Sequence, residues 1–150
     1  MNNIAERIKQ LRKEAGKSER EVAAALDMTI YEYGDLEAYD NEIIDAVTLP
    51  TAQKVAAYFN KSLLELLAPE QETWPNSFIE LPALTDLLHT KIKEQRLSRT
   101  EAEDQIGWYL EEFFAHPEAY LAANPLLFFI DVSTFLGINW LATIPRKIDR

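Results

Sequence analysis

The stretch at residues 18–37, SEREVAAALDMTIYEYGDLE, constrains the fold of this chain more than any other. It holds two capping boxes, in which Ser or Thr is followed three residues later by Glu: Ser18 with Glu21, and Thr29 with Glu32. Each pair satisfies free backbone N–H groups at a helix start. Between the boxes, Asp27 stands where a tight turn needs a residue that tolerates a positive φ. The stretch therefore predicts two short helices joined by a turn.

The segments on either side continue the helical pattern. Ile4, Ile8 and Leu11 recur at helical spacing and predict an amphipathic helix that ends before Gly16. An acidic connector at residues 38–47 follows the pair of short helices, and Pro50 then marks a further helix start. A third capping box, Ser62 with Glu65, opens a leucine-rich helix. Residues 1–68 are therefore predicted to form one all-α domain.

The second half of the chain is also predicted to be helical. Residues 69–77 are polar, acidic and rich in proline, which is typical of a linker. Residues 78–150 then form a second helical domain. Its predicted helices run from residue 79 to about residue 95, from the capping box Ser98–Glu101 towards His116 before Pro117 interrupts, and from Pro125 to Gly137.

The apolar run at residues 126–144 has about the length of a membrane span. Asp131, Gly137 and Asn139 interrupt it, and a proline bounds it at each end. Helices that are apolar on most sides are normally buried in protein. The run is therefore expected to lie in the core or at a dimer interface rather than in a membrane.

Charge is unevenly distributed along the chain. The formal net charge is −10, and an acidic protein is repelled by duplex DNA at long range. Residues 1–20 nevertheless hold six Lys and Arg against three Glu, whereas residues 21–90 hold two basic and thirteen acidic residues. The first helix and the start of the second are therefore the only basic surface expected.

The N-terminal sequence resembles the phage-repressor (XRE, Cro-type) helix-turn-helix family. The resemblance is carried by IAERIKQLRKEAGKSEREVAAALDMTIYEYGDLE, followed by LPTAQKVAAYFNKSLLELL. It implies a five-helix domain whose second short helix is the recognition helix, and it implies a structural ion pair between Arg12 and Glu37. By the same resemblance, the base-reading positions fall on Ile30, Tyr31 and Asp35, and a phosphate contact falls on Glu19.

The predicted recognition helix departs from that family in its chemistry. Its sequence TIYEYGDLE contains no Lys, Arg, Gln or Asn, which are the usual donors to guanine and adenine edges. Ile30 can touch a thymine methyl, and Asp35 can accept a hydrogen bond from cytosine. Glu19 brings a negative charge where the family often has a neutral Gln. A protein-interaction module that keeps the fold but binds a basic partner is therefore the alternative to a DNA reader.

A shift of 80 residues aligns KEAGKSEREVAAALDM with KEQRLSRTEAEDQIGW. Lys13, Ser18 and Glu21 then match identical residues, and a shift of 77 aligns VAAYFNKSLL with VSTFLGINWL. The C-terminal half is therefore either a degenerate second copy of the domain or an unrelated helical extension. The positions of Arg12 and Glu37 fall on Ile92 and Pro117, so the ion pair is not repeated.

Several kinds of chemistry lack a sequence signal. There is no cysteine, the two histidines stand in no metal-binding pattern, and the four glycines form no phosphate-binding loop. No nucleophile is paired with a base. We therefore expect no enzyme, no catalytic residue, no metal site and no cofactor.

The sequence favours an all-α, DNA-binding transcriptional regulator that acts as a homodimer through its C-terminal half. The chain begins with a charged, amphipathic segment rather than a signal peptide, so a cytoplasmic location is expected. Exposed aromatic residues in the second half (Phe113, Phe114, Phe128, Phe129 and Trp140) are expected to form the dimer surface. The candidate DNA-binding residues are Lys9, Lys13, Lys17, Ser18, Arg20, Thr29, Ile30, Tyr31 and Asp35.

Overall fold

Capping boxes set the starts of four helices in the computed structural model, which describes residues 3–145 apart from the side chain of Gln71. In each box the side-chain oxygen of the N-cap residue accepts a hydrogen bond from the backbone N–H of the Glu, and that Glu carboxylate accepts from the N-cap N–H. All four predicted boxes are confirmed. Their N-cap residues are Ser18, Thr29, Ser62 and Ser98.

The described chain divides between Thr73 and Trp74 into two compact units, each built from helices and without a β-strand. The domain limits 1–68, 69–77 and 78–150 stay predictions, and residues 1–2 and 146–150 lie outside the described residues. The first unit contains α1 (Ile4–Glu14), α2 (Glu19–Ala25), α3 (Ile30–Ala38), α4 (Glu42–Asp45), α5 (Leu49–Tyr58), α6 (Leu63–Leu67) and a 3-10 turn (Gln71–Thr73).

The acidic connector is not wholly irregular, which corrects the expected five-helix pattern. Its middle forms the single turn α4, because Ile43 and Ile44 are both buried and fix the segment against the core. The other five helices are those expected. Helix α1 packs against α3 and α6, α2 packs against α3, and α5 packs against α6.

The second unit is helical as predicted, but its middle is divided differently. It contains α7 (Leu81–Glu94), α8 (Arg99–Ile106), α9 (Glu111–Ala115), α10 (Pro117–Ala123), α11 (Leu127–Leu136) and a 3-10 turn (Trp140–Ala142). The helix predicted to run from Ser98 towards His116 ends at Ile106, because Gly107 adopts a left-handed conformation with φ 91°. Pro117 begins a helix instead of interrupting one, since the first turn needs no N–H from it.

The aromatic residues of the second half form a core within one chain, which contradicts their expected exposure. Phe113, Phe128 and Phe129 are at most 1% exposed. Phe114 and Trp140 are partly buried. The ring centroids of Phe113 and Phe128 lie 4.9 Å apart, a spacing typical of packed aromatic pairs. These side chains are therefore not the free dimer surface that the sequence suggested.

The apolar run at residues 126–144 is folded into the second unit. Helix α11 ends at Gly137, whose φ of 71° stops it after ten residues. Nine of its nineteen residues are buried, including Leu126, Val132 and Ile144. Within residues 3–145, no helix combines the length and the apolar character needed to cross a membrane.

Candidate nucleic-acid interface

Helices α2 and α3 are joined by a three-residue turn at Leu26, Asp27 and Met28, followed by the N-cap Thr29. Asp27 has a φ of 58°, as its position between the capping boxes predicts. The N–H of Met28 donates to the carbonyl of Ala23 over 2.9 Å and closes the turn. This backbone hydrogen bond and the positive φ of Asp27 help to set the direction of α3 relative to α2.

The packing of α2 on α3 determines which side of α3 faces outward. Val22 and Ala23 of α2 and Tyr33 and Leu36 of α3 are all buried. Tyr31 lies on the other side of α3 and is 82% exposed, which is unusual for a large aromatic side chain in the first turn of a helix. The outward face of α3 therefore presents a tyrosine to any molecule that approaches it.

The predicted ion pair between Arg12 and Glu37 is present and nearly buried. The Arg12 guanidinium donates to the Glu37 carboxylate through Nε over 2.6 Å and through NH2 over 3.1 Å. The two side chains are only 12% and 6% exposed. A further bond runs from Arg12 NH1 to the carbonyl of Lys17 over 2.9 Å, so one side chain joins α1, α3 and the start of α2. The hydrogen bond to Glu37 raises the pKa of Arg12.

Tyr33 lies beside this ion pair. Its hydroxyl is buried and makes no hydrogen bond of standard geometry. Burial, and then the neighbouring Glu37 carboxylate, raise the pKa of Tyr33 well above its ordinary value. The hydroxyl is therefore neutral and serves the packing of α3 rather than the exposed face.

Residues 8–66 match the family model described as helix-turn-helix. These residues form a helix-turn-helix domain. The match lies within residues 1–68, the part of the chain whose sequence resembles the phage-repressor type. Comparison with curated proteins and with solved structures gives no match.

Two of the six N-terminal basic residues are engaged in holding the helix-turn-helix domain together. Arg12 forms the ion pair, and Arg7 donates through Nε to the carbonyl of Leu66 over 3.0 Å and through NH2 to that of Leu67 over 2.9 Å. No local pattern indicates this role for Arg7. Helix α6 has Ala68 as its C-cap and no glycine that would help satisfy its last carbonyls. The other four N-terminal basic residues form what we call the first basic segment: Lys9, Lys13, Lys17 and Arg20.

The predicted DNA-binding residues fall on two parts of the helix-turn-helix domain. The first basic segment runs from α1 to the first turn of α2, with Lys9 partly buried and the other three exposed. Tyr31 and Asp35 are exposed on α3, and Ile30 is partly buried at its start. Ser18 and Thr29 are exposed N-cap residues whose oxygens accept hydrogen bonds from Glu21 and Glu32.

Carboxylates surround the outward face of α3. Partial burial raises the pKa of Glu42, and the negative charges of Asp35 and Asp45 raise it further. On the α2 side, the Oε1 atom of Glu19 lies 3.7 Å from where a Cβ on Gly34 would stand. No group of three His, Asp or Glu side chains in the described chain is placed to hold a metal ion. The outward face of α3 is therefore acidic.

One carboxylate of the connector has a structural role that the sequence did not indicate. Asp40 accepts a hydrogen bond through Oδ1 from the backbone N–H of Ala5 over 2.9 Å. The residue before α1, Asn3, provides no side-chain cap, so Asp40 supplies the acceptor from a distant part of the chain. Charges in the connector therefore cannot all be assigned to a binding surface.

Proposed function

We propose that this protein is a DNA-binding transcriptional regulator that uses its helix-turn-helix domain. The observation that carries the proposal is the arrangement of α2, the turn and α3, which leaves the first turn of α3 outward with Tyr31 at 82% exposure. An α-helix presented in this way fits the major groove of duplex DNA. The first basic segment supplies the phosphate contacts, which set the register of the protein on the duplex.

Base reading by this α3 would rely on few groups. Tyr31 donates through its hydroxyl to a phosphate or a base, Ile30 touches a thymine methyl, and Asp35 accepts from a cytosine amino group. Specificity from such a set is modest, because each good base contact contributes about 1–3 kcal/mol of discrimination.

A titration of fluorescently labelled genomic fragments at several salt concentrations tests the proposal. Tyr31→Ala is expected to weaken binding about tenfold, since it removes the most exposed side chain on the reading face. Tyr39→Ala is the matched control: Tyr39 is also exposed, at 62%, but follows the opposite end of α3. Undetectable binding of the unaltered protein at low salt, where phosphate attraction is strongest, would refute the proposal.

The second candidate function is a protein-interaction module for a basic partner. The carboxylates of Asp35, Glu42 and Asp45 favour it, because a group of negative charges attracts a cationic surface. A pull-down from cell extract, in which a specific basic protein is retained, is the corresponding measurement.

One pair of substitutions separates the two candidates. Glu42→Gln combined with Asp45→Asn removes two negative charges near α3 and leaves the candidate base-reading residue Asp35 unchanged. If α3 faces phosphates, the affinity for DNA rises; if α3 faces a basic protein, the affinity for that partner falls. The opposite signs make the result decisive, and Glu111→Gln combined with Glu118→Gln, two exposed carboxylates of the second unit, controls for net charge.

We further propose that the protein acts as a homodimer through its second half, with DNA half-sites about one helical turn apart. The aromatic cluster no longer supports this, but Phe78 and Leu87 are 40% and 41% exposed and line a groove of about 510 Å³. Removing residues 76–150 is expected to leave a monomer in sedimentation analysis. A truncated chain that stays dimeric would show that the interface lies in residues 1–75.

A further inference from the structure

The second unit repeats backbone features of the first at an offset of 80 residues. Gly16 and Arg96 end their helices with a φ of 70° and 55°. Each donates to a carbonyl three residues earlier over 3.0 Å, Gly16 to Lys13 and Arg96 to Lys93. The capping box at Ser18 recurs at Ser98, and the left-handed Asp27 recurs as Gly107. The end of the first helix, the capping box that starts the second helix and the positive φ that follows it therefore recur in the second unit.

The later helices repeat at an offset of 77 residues. Asn60 and Gly137 have a φ of 59° and 71°. The residue after each donates to a carbonyl five residues earlier, Lys61 over 2.9 Å and Ile138 over 3.0 Å. Buried positions also correspond across the two units. The buried pairs are Ile4 with Leu84, Ile8 with Leu88, Val22 with Ala102, Leu49 with Leu126, and Val55 with Val132.

The unit built on this repeated scaffold has no full-length counterpart of α3. The corresponding residues form α9, which has only five residues, and His116 then adopts an extended φ of −141° before Pro117 starts α10. A reading helix that enters the major groove is therefore missing from the second unit, whereas the helix pair before it is preserved.

All four Lys and Arg residues in the range 74–145 lie within nine consecutive positions. These positions correspond to the part of the first unit that carries the first basic segment. We call Lys91, Lys93, Arg96 and Arg99 the second basic segment. Lys93 stands at the position of Lys13, and Arg99 stands where the first unit has Glu19. Lys93, Arg96 and Arg99 are exposed, and within residues 3–145 none of the four forms an ion pair with a carboxylate.

We propose that the second basic segment binds the phosphate backbone of DNA, without reading bases. The cations are concentrated where the first unit carries its own, and an arginine replaces the unfavourable glutamate. With no complete reading helix beside it, the segment contributes affinity and not sequence preference, because phosphate contacts carry no base information. This inference rests on the proposed DNA binding of the first unit.

The test is the salt dependence of DNA binding by the full chain. The variant Lys93→Gln, Arg96→Gln and Arg99→Gln removes three phosphate contacts. The slope of log Kobs against log salt concentration is expected to become shallower by about 2–3, since each contact contributes about 0.9. The order of preference among genomic fragments should stay as in the unaltered protein.

A charge-preserving variant serves as the matched control. Lys93→Arg, Arg96→Lys and Arg99→Lys should keep the original slope, which separates the loss of charge from damage to the fold. A neutral variant that keeps the original slope would overturn the inference while leaving DNA binding by the first unit intact. Absence of binding by the unaltered protein at low salt would overturn both, so the two failures are distinguishable.

Discussion

Replacing Glu37 by Gln tests whether the ion pair with Arg12 holds α1 onto α3. The carboxylate accepts two charge-assisted hydrogen bonds, at 2.6 and 3.1 Å, and both side chains are nearly buried. A Gln has one oxygen and one amide nitrogen, so it keeps one bond and places its NH2 group against the guanidinium. Charge-assisted bonds contribute about 1.5–3 kcal/mol, and breaking a fully buried pair costs about 3–5 kcal/mol.

We therefore expect Glu37→Gln to lower the free energy of unfolding of the first unit by about 2–3 kcal/mol. With an m-value of about 1.5 kcal/mol/M, the urea midpoint falls by about 1.3–2 M. Far-UV circular dichroism measures the transition. All three tryptophans lie at or after residue 74, so tryptophan fluorescence follows the second unit separately.

A double-mutant cycle with Arg12→Met and Glu37→Leu supplies the control. Replacing both partners by apolar side chains should cost less than either single change, because no buried charge is left without a partner. The coupling energy should be about 2 kcal/mol. A loss of less than about 0.5 kcal/mol in Glu37→Gln would show that the pair behaves like an exposed salt bridge, and the structural reasoning would fail.

Three further substitutions have defined outcomes in urea unfolding. Gly34→Ala should raise the free energy of unfolding by about 0.5–1 kcal/mol, since the residue lies inside α3 and the new Cβ meets only Glu19, at an ordinary 3.7 Å. Tyr33→Phe should be neutral or stabilising by up to about 1 kcal/mol, because the buried hydroxyl makes no standard hydrogen bond. A fall in the free energy of unfolding would show that this hydroxyl forms a hydrogen bond. Glu42→Gln should stabilise by at most about 0.5 kcal/mol at neutral pH. Because the pKa of Glu42 is raised in the folded state, this gain should disappear below about pH 4, where the glutamate is protonated in both states.

Local sequence signals predicted the helix starts and turns well. A capping box involves only four residues, so Ser18, Thr29, Ser62 and Ser98 carry the information needed to place each start. The positive φ of Asp27 likewise follows from its position between two capping boxes. The Arg12–Glu37 pair spans 25 residues and was predicted only through the family resemblance.

Other features depend on contacts that no local pattern contains. Arg7 binds carbonyls about 60 residues away, and Asp40 caps a helix 35 residues earlier. The apolar sequence around Trp108 continues a helical period, yet Gly107 ends the helix there. The aromatic residues of the second half were misjudged for the same reason. Phe113 packs against Phe128 because α9 and α11 fold together. Hydrophobic periodicity within one helix does not specify that packing.

The net charge of −10 decides less about DNA binding than the position of each charge. At physiological salt, exposed charges are screened over a Debye length of about 8 Å, so distant carboxylates repel a duplex only weakly. In the proposed complex with DNA, the two basic segments act at contact distance, where screening is small. The same argument applies to Asp35, Glu42 and Asp45, which lie beside the candidate reading face. The more distant acidic surface limits the affinity only weakly, whereas Glu19, Glu42 and Asp45 limit it strongly if α3 enters a groove. Neutralising them should therefore strengthen DNA binding far more than removing equal charge from the second unit.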